Sequence, residues 1–306
     1  MKLDVRDLEY FAVVAQHGHV GRAAEQLGLS QPGLSKSLRR LERALGAKLV
    51  KKTPKGVDLT VVGAALSSRA RALQLSLDDI AREAADLTEG RTGRLSVGTG
   101  PGTAEGILPD VCSELFTSAP KITLGVTIAA SNDILLRGLR RGELDAVVNH
   151  VGPAALYHGL VRETLWNNEF VVYCSTSHRL ARRKSVVLAD LVNERWVTTA
   201  GTAFTSPQSL TQTFANYGLP PPQIALTSDS GTLNHRTVAS TNLLGFAIRT
   251  SLVRHAGLTV LTVKDVKRIR PVAVVYRQDA YLSPATLRFV EILKATVKRL
   301  AEPFSN

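Results

Sequence analysis

The chain has 306 residues, 44% of them hydrophobic and 21% charged, with a formal net charge of +12. This length exceeds one ordinary core and suits two or three domains, and the composition excludes a disordered or fibrous chain. The basic excess favours an anionic partner: nucleic acid, an acidic membrane surface or an acidic small molecule.

Cys112 and Cys174 are the two cysteines. They stand far apart and outside any CxxC arrangement, which argues against a disulfide framework or a zinc site and fits a reducing cytoplasm. Two buried thiols or a redox pair are the readings left open. Asp4, Asp7 and Glu9 interrupt the stretch where an export signal needs an apolar run. No window reaches the roughly 18 uncharged apolar residues of a membrane-crossing helix. The expectation is a cytosolic protein with no membrane partner.

In chain order, Asp4 caps a helix over 4–16 with an apolar stripe of Leu8, Phe11, Ala12 and Ala15. A short helix over 21–27 stops at Gly28. Ser30 caps a third helix that opens with Gln31 and Pro32 and runs to about Leu45, closed by Gly46. "AKLVKKTPKGVDLT" then predicts a hairpin with Pro54 and Gly56 at its tip. A long helix follows over 61–88. Leu66, Ala70, Leu73, Leu77, Ile80, Ala84 and Leu87 recur in it at alternating steps of four and three, the seam of a coiled coil and hence a dimerisation element. "EGRTGR" (89–94) reads as a hinge. Beyond it short strands alternate with helices: 95–97, 122–128, 146–148, 169–174, 196–199, 244–248, 258–261 and 272–276, with a last helix at 284–300. That is an α/β pattern.

On the third helix, at about 100° per residue, Leu34, Leu38, Leu41 and Leu45 share one narrow arc. Ser35, Lys36, Arg39, Arg40 and Arg43 fall on the other side, with Gln31 near its N-terminal edge. Residues 22–55 hold nine Lys/Arg against two acids. A tight turn, Gly28-Leu29-Ser30, joins the two helices as a helix-turn-helix requires.

Catalytic and cofactor motifs fail on inspection. "GTGPG" after the first α/β strand lacks the third glycine of a dinucleotide loop, because position 103 is Thr. "SAPK" (118–121) fits the SxxK pattern of a hydrolase, but Pro120 breaks the turn that would align Ser and Lys, and no companion motif is present. The histidines show no ligand spacing. No catalytic residue, metal or cofactor is expected.

"RAAEQLGLSQPGLSKSLRRLERALGAKLVKKTPKGVDLT" resembles the winged helix-turn-helix of the LysR-type transcriptional regulators, with "SQPGLS" opening the recognition helix, "LERALG" closing it and a wing ending in "LT". "LVRETLWNNEFVVYCSTSHRLA" (160–181) and "RPVAVVYRQDAYLSPATLRFVEIL" (270–293) are similar to the family's crossing between subdomains and its closing strand and helix, so the resemblance spans the chain. Gly33 departs from the usual Ala, which should loosen the helix start by up to about 1 kcal/mol. Lys52 departs from an Arg, and so loses the planar fork.

The resemblance implies an α+β protein. A winged helix-turn-helix (1–60) is followed by a linker helix (61–90) and a two-lobe α/β regulatory domain (91–306). That domain resembles a type 2 periplasmic binding protein, with lobe I at about 91–163 and 266–306 and lobe II at about 164–265. Gln31 would read a base edge at the helix tip and Pro32 would touch a thymine methyl. Ser35 and Lys36 would be base readers or phosphate partners. Arg39, Arg40 and Arg43 would grip phosphate, and Lys55 would reach a minor groove or a flanking phosphate.

The implied partners are duplex DNA, a second and then a fourth copy of the chain, RNA polymerase and a small effector between the lobes. Strand ends and helix starts place Thr99, Gly100, Thr103, Ser131, Asn132, Thr199 and Thr202 at that cleft. Small hydroxyls there suit a carboxylate or sulfonate; ordinary helix capping is the competing role for each. A solute-binding receptor of the same fold, or an SxxK hydrolase, are the rival readings.

Overall fold

The computed structural model describes residues 3–89, 93–200, 205–252, 255–264 and 268–301. The contacts divide the chain into two compact units, residues 1–84 with 279–281, and residues 85–278 with 282–306.

The first unit begins with α1 (Val5–His17), α2 (Val20–Gln26) and α3 (Gln31–Leu45). Asp4, His19 and Ser30 cap these helices with their side chains, so each start is fixed by a local donor–acceptor pair. Gly18 and Gly46 end α1 and α3 with φ of 60° and 66°, the left-handed stop that glycine adopts freely. Leu8, Phe11, Leu38, Leu41 and Leu49 form one core cluster, and Val13, Val14, Ala23, Ala24 and Leu34 another. The small alanines let α2 pack closely.

The antiparallel hairpin β1 (Val50–Thr53) and β2 (Gly56–Leu59) follows, then α4 (Val61–Glu89). Gly56 has φ 142°, and a Cβ there would lie 2.2 Å from the Gly18 carbonyl oxygen, while the Val57 N–H donates to that same oxygen at 2.8 Å. The hairpin is therefore seated on the end of α1 by a contact only glycine permits. On α4 the expected seam holds Leu73, Leu77, Ile80 and Leu87, 36%, 38%, 62% and 79% exposed.

The second unit is built on a nine-stranded sheet. Its strands are β3 (Arg94–Thr99), β4 (Thr123–Ile128), β5 (Ala146–His150), β6 (Leu160–Ser175), β7 (Arg195–Thr198), β8 (Gln223–Thr227), β9 (Leu244–Ile248), β10 (Leu258–Leu261) and β11 (Arg268–Arg277). The order is β4-β3-β5-β11-β6-β9-β7-β8, with β10 also pairing β6. The β3/β4, β3/β5, β7/β8 and β7/β9 pairs are parallel; the pairs made by β6 and β11 are antiparallel. Helices α5 (Pro101–Gly106), α6 (Leu108–Ser118), α7 (Asn132–Arg140), α8 (Pro207–Ala215), α9 (Gly231–Ala239) and α10 (Pro284–Ala301) cover the faces.

The strands are buried on alternate sides. Val272 and Val274 join a core with Leu95, Val111 and Phe289, while Ala273 and Val275 join Leu135, Leu139 and Val147. In the other half, Phe170 and Val172 pack with Trp196, Phe214 and Phe246, and Val171 and Tyr173 with Val197 and Val238. Near-continuous apolar runs are what two-sided burial produces.

Two strand expectations are corrected by the fold. β6 is 16 residues long rather than the six expected, because "LVRETLWNN" is half-exposed and reads as polar, yet pairs with β11 from Leu160↔Arg277 to Phe170↔Arg268. β8 is absent from the expected strands: as the end strand, "QIALT" carries little of the apolar signal. Residues 90–92 of the expected hinge lie outside the described residues.

Candidate nucleic-acid interface and effector cavity

α3 presents its polar face as expected. The Ser30 hydroxyl accepts the Gly33 N–H at 3.2 Å, and a Cβ on Gly33 would approach that hydroxyl to 3.0 Å. Gly33 therefore fits a close cap here rather than merely loosening the helix. Gln31, Pro32, Lys36, Arg39 and Arg43 are exposed, and Ser35 is half-buried beside them. The Arg39 and Arg43 Nε groups donate to the carbonyls of Ser35 and Arg39 at 3.2 and 3.3 Å, which lays both guanidinium groups along the helix and leaves their ends outward. Lys52 and Lys55 are exposed on the hairpin.

Arg40 is different. Its guanidinium donates to both oxygens of Asp7, with Nε at 2.5 Å, and Asp7 is 2% exposed and also accepts the Ser37 hydroxyl at 2.5 Å. Burial alone would raise the Asp7 carboxyl, but the hydrogen bonds from Arg40 and Ser37 outweigh it and hold the group below the usual carboxylate range. Arg40 thus fastens α3 to α1, a structural role the sequence did not predict, while its side chain stays 53% exposed. The acid it pairs with is 33 residues away in sequence, so helix periodicity could not reveal it. Glu42 does a similar job: buried, it accepts the Leu49 N–H at 3.0 Å and Lys48 Nζ at 2.7 Å, tying α3 to β1.

The second unit contains a cavity of about 320 Å³. Gly100, Thr103, Ser131, Asn132 and Thr199 line it, so five of the seven expected residues meet there. Thr99 does not: its hydroxyl donates to the Val148 carbonyl at 2.7 Å and ties β3 to β5. Thr202 lies outside the described residues. Capping does not explain Ser131, which stands before α7 without a side-chain cap bond, or Thr103, whose buried hydroxyl has no hydrogen-bond partner. Asn132 is braced, accepting from Asn149 Nδ2 at 2.7 Å and donating to the His150 carbonyl at 3.0 Å. A Cβ on Gly100 would lie 2.7 Å from Asn149 Oδ1, so that network needs glycine at this turn.

Sequence reading missed Glu105, His150, Tyr173, Asn234 and His235, which also line the cavity. Burial, with Arg270 adding to it, lowers the His150 pKa to about 4; burial, with His255, does the same for His235. Both rings are neutral near pH 7. Burial raises the Tyr173 hydroxyl and the Glu105 carboxyl. Glu105 rests against Gly231, where a Cβ would come within 2.2 Å of its Oε2, and accepts the Thr232 N–H, so the start of α9 already holds an internal carboxylate. Glu105, Asp133 and Asp229 line the cavity and no described Lys or Arg does.

Among the described residues no group of His, Cys, Asp and Glu is arranged to hold a metal ion, and no helix is long and apolar enough to cross a membrane. Ser118 ends α6 and Lys121 lies beyond Pro120, outside any helix, so the SxxK pair does not form.

Comparison with known proteins agrees with this arrangement. Residues 5–64 match the model of the bacterial regulatory helix-turn-helix protein, lysR family, and residues 88–298 that of the LysR substrate binding domain. The uncharacterized HTH-type transcriptional regulator YdcI of Escherichia coli is 27% identical over 97% of this chain and 96% of its own. The structure of a full-length OxyR variant from Pseudomonas aeruginosa is similar in fold, with a TM-score of 0.68 and 23% identity over 97% of this chain and 95% of its own. CbnR complexed with its target DNA gives 0.60 and 22%, over 96% of this chain and 100% of its own. With an N-terminal helix-turn-helix and a C-terminal effector-binding domain matched over most of its length, the chain belongs to the LysR family of DNA-binding transcriptional regulators, which are not enzymes.

Proposed function

We propose that the protein acts as a dimer, and as a tetramer on its operator, in which α3 reads the major groove and a small effector in the cavity controls output. The observation that carries the reading is the outward face of α3, where Gln31, Pro32, Ser35 and Lys36 sit at the N-terminal end ahead of Arg39 and Arg43. An amide at the helix tip suits bidentate pairing with adenine, and cations one and two turns on suit phosphate. Lys55 at the hairpin tip would take a flanking contact. The exposed Leu73, Leu77, Ile80 and Leu87 on α4 support a two-fold partner, since such a seam buries itself in a coiled coil. The solved CbnR structure in complex with target DNA supports the same use of this fold. RNA polymerase would be the further partner through which effector binding changes output.

The cavity lies at the low end of the about 300–1,000 Å³ usual for ligand sites, so the effector is small. It acts by binding one arrangement of the oligomer better than another. Both thiols are held up by burial, Cys174 to about 11, which disfavours a thiolate peroxide sensor.

Hydroxyl-radical footprinting on the DNA upstream of the protein's own gene tests the reading. Paired protections about 10 bp apart, or a multiple of that, are expected from a two-fold protein. Ile80→Glu, which puts a charge in the α4 seam, should abolish the pairing. Uniform protection without discrete patches would overturn the proposal.

A further inference from the structure

His19 stands at the start of α2, and one of its two ring nitrogens has a task there. Nδ1 accepts the Gly21 and Arg22 N–H groups at 3.1 and 3.3 Å, the side-chain cap of that helix. A ring nitrogen that accepts holds no hydrogen, so the imidazole carries its hydrogen on Nε2. The cap therefore fixes both the placement of the ring and its tautomer. The residue is exposed, and among the described residues none takes the Nε2–H.

Two neighbours locate this donor. A Cβ on Gly21 would lie 3.1 Å from His19 Cε1, the carbon bonded to Nε2, and 3.7 Å from Gln31 Oε1. The edge of the imidazole and the amide at the tip of α3 thus border one small gap, which Gly21 keeps open. The β1–β2 hairpin adjoins the same residue, since a Cβ on Gly56, next to Lys55, would come within 3.5 Å of His19 Cα. His19 therefore lies against both elements that hold DNA in the reading above. In a helix-turn-helix the first helix crosses the sugar–phosphate backbone while the second enters the groove. A duplex engaged by Gln31 brings its backbone to the start of α2, where a fixed N–H suits a phosphate oxygen.

We infer that His19 is a DNA contact: its Nε2–H donates to a backbone phosphate at the edge of the groove that Gln31 reads, while Nδ1 holds the helix start. The inference rests on α3 reading DNA and adds a contact from outside that helix. With Nδ1 accepting, the ring is uncharged, so this contact adds affinity without the counterion release that accompanies a Lys or Arg.

The test is fluorescence anisotropy of the full-length protein on the DNA upstream of its gene and on scrambled DNA, across a salt series, with phosphate-ethylation interference alongside. His19→Ser and His19→Asn both retain a good helix cap and withdraw Nε2, so each should melt as the wild type does. Affinity should fall about tenfold on both DNAs, the worth of one hydrogen bond to a charged group. The salt slope should stay unchanged, in contrast to Arg39→Ala, and one phosphate in each half-site should cease to interfere when ethylated. Wild-type affinity and an unchanged interference pattern in either variant that melts normally would leave His19 a helix cap alone and overturn the inference. A loss confined to the native sequence would make it a base reader, and a slope lowered by about 1 would make the ring a charged contact; either result overturns the assignment of a neutral phosphate donor. Wild-type protein that binds neither DNA would instead sink the regulator reading itself.

Discussion

Replacing Thr103 by Val exchanges a hydroxyl for a methyl of nearly the same size. In an ordinary protein interior the change costs stability, because the hydroxyl is usually bonded. Here Thr103 is 2% exposed and its Oγ1 has no partner, so nothing is lost with the oxygen. A buried polar group left unsatisfied costs about 1–3 kcal/mol, and a buried methyl contributes about 0.8 kcal/mol in the other direction. Both residues are β-branched and of similar helix propensity, so α5 is not penalised. The net expectation is a gain of about 2–4 kcal/mol. At about 2–4 °C per kcal/mol for a unit of this size, the regulatory transition should rise by roughly 4–16 °C. Differential scanning calorimetry of the full chain without added ligand reads it directly. A fall in that transition would mean that the hydroxyl is hydrogen-bonded in the folded protein, and would refute the reasoning.

On DNA, Arg39→Ala and Arg43→Ala should each lower the slope of log affinity against log salt by about 1, the loss of one phosphate contact. Arg40→Ala should leave the slope nearly unchanged while lowering the stability of the DNA-binding unit, because it strands the buried Asp7; an equal slope change in all three would refute the separation. Gly56→Ala should destabilise that unit by about 1–3 kcal/mol, since φ 142° and the Gly18 oxygen at 2.2 Å both exclude a Cβ, and a wild-type melting curve would contradict this. His150 and His235 have folded pKa values near 4 against about 6.5 unfolded, so the unfolded chain binds more protons between those limits. Stability of the regulatory unit should therefore be intact above pH 6.5 and fall progressively towards pH 4. His150→Asn should blunt the decline in a pH series of unfolding transitions, and an unchanged profile would remove burial as its cause.

The DNA-binding unit was legible residue by residue because its signals are local. Ser30 and Gly46 set the ends of α3, Gly28 turns the chain after α2, and the leucine arc sets the buried face of α3, all within a short stretch of sequence. What could not be read there was Arg40, whose partner Asp7 lies on another helix. In the regulatory unit the apolar strands β9 and β10 were found to the residue, whereas β8 and the polar half of β6 depend on neighbours in the sheet for their pairing. The cavity was half legible. Strand ends and helix starts pointed to Gly100, Thr103, Ser131, Asn132 and Thr199, because topology alone brings such turns together. Glu105 and Asn234 were not, because they lie inside helices and reach the cavity only through side-chain placement.

The central claim is that α3 recognises a particular DNA sequence. Fluorescence anisotropy of the full-length protein on the DNA upstream of its gene, against scrambled DNA and across a salt series, tests it most directly when the Gln31→Ala/Lys36→Ala variant is run alongside. The account predicts tight binding to the native sequence, weak binding to the scrambled one, and loss of the difference in the variant. Equal and steeply salt-dependent binding to both sequences, unchanged by the substitutions, would contradict it.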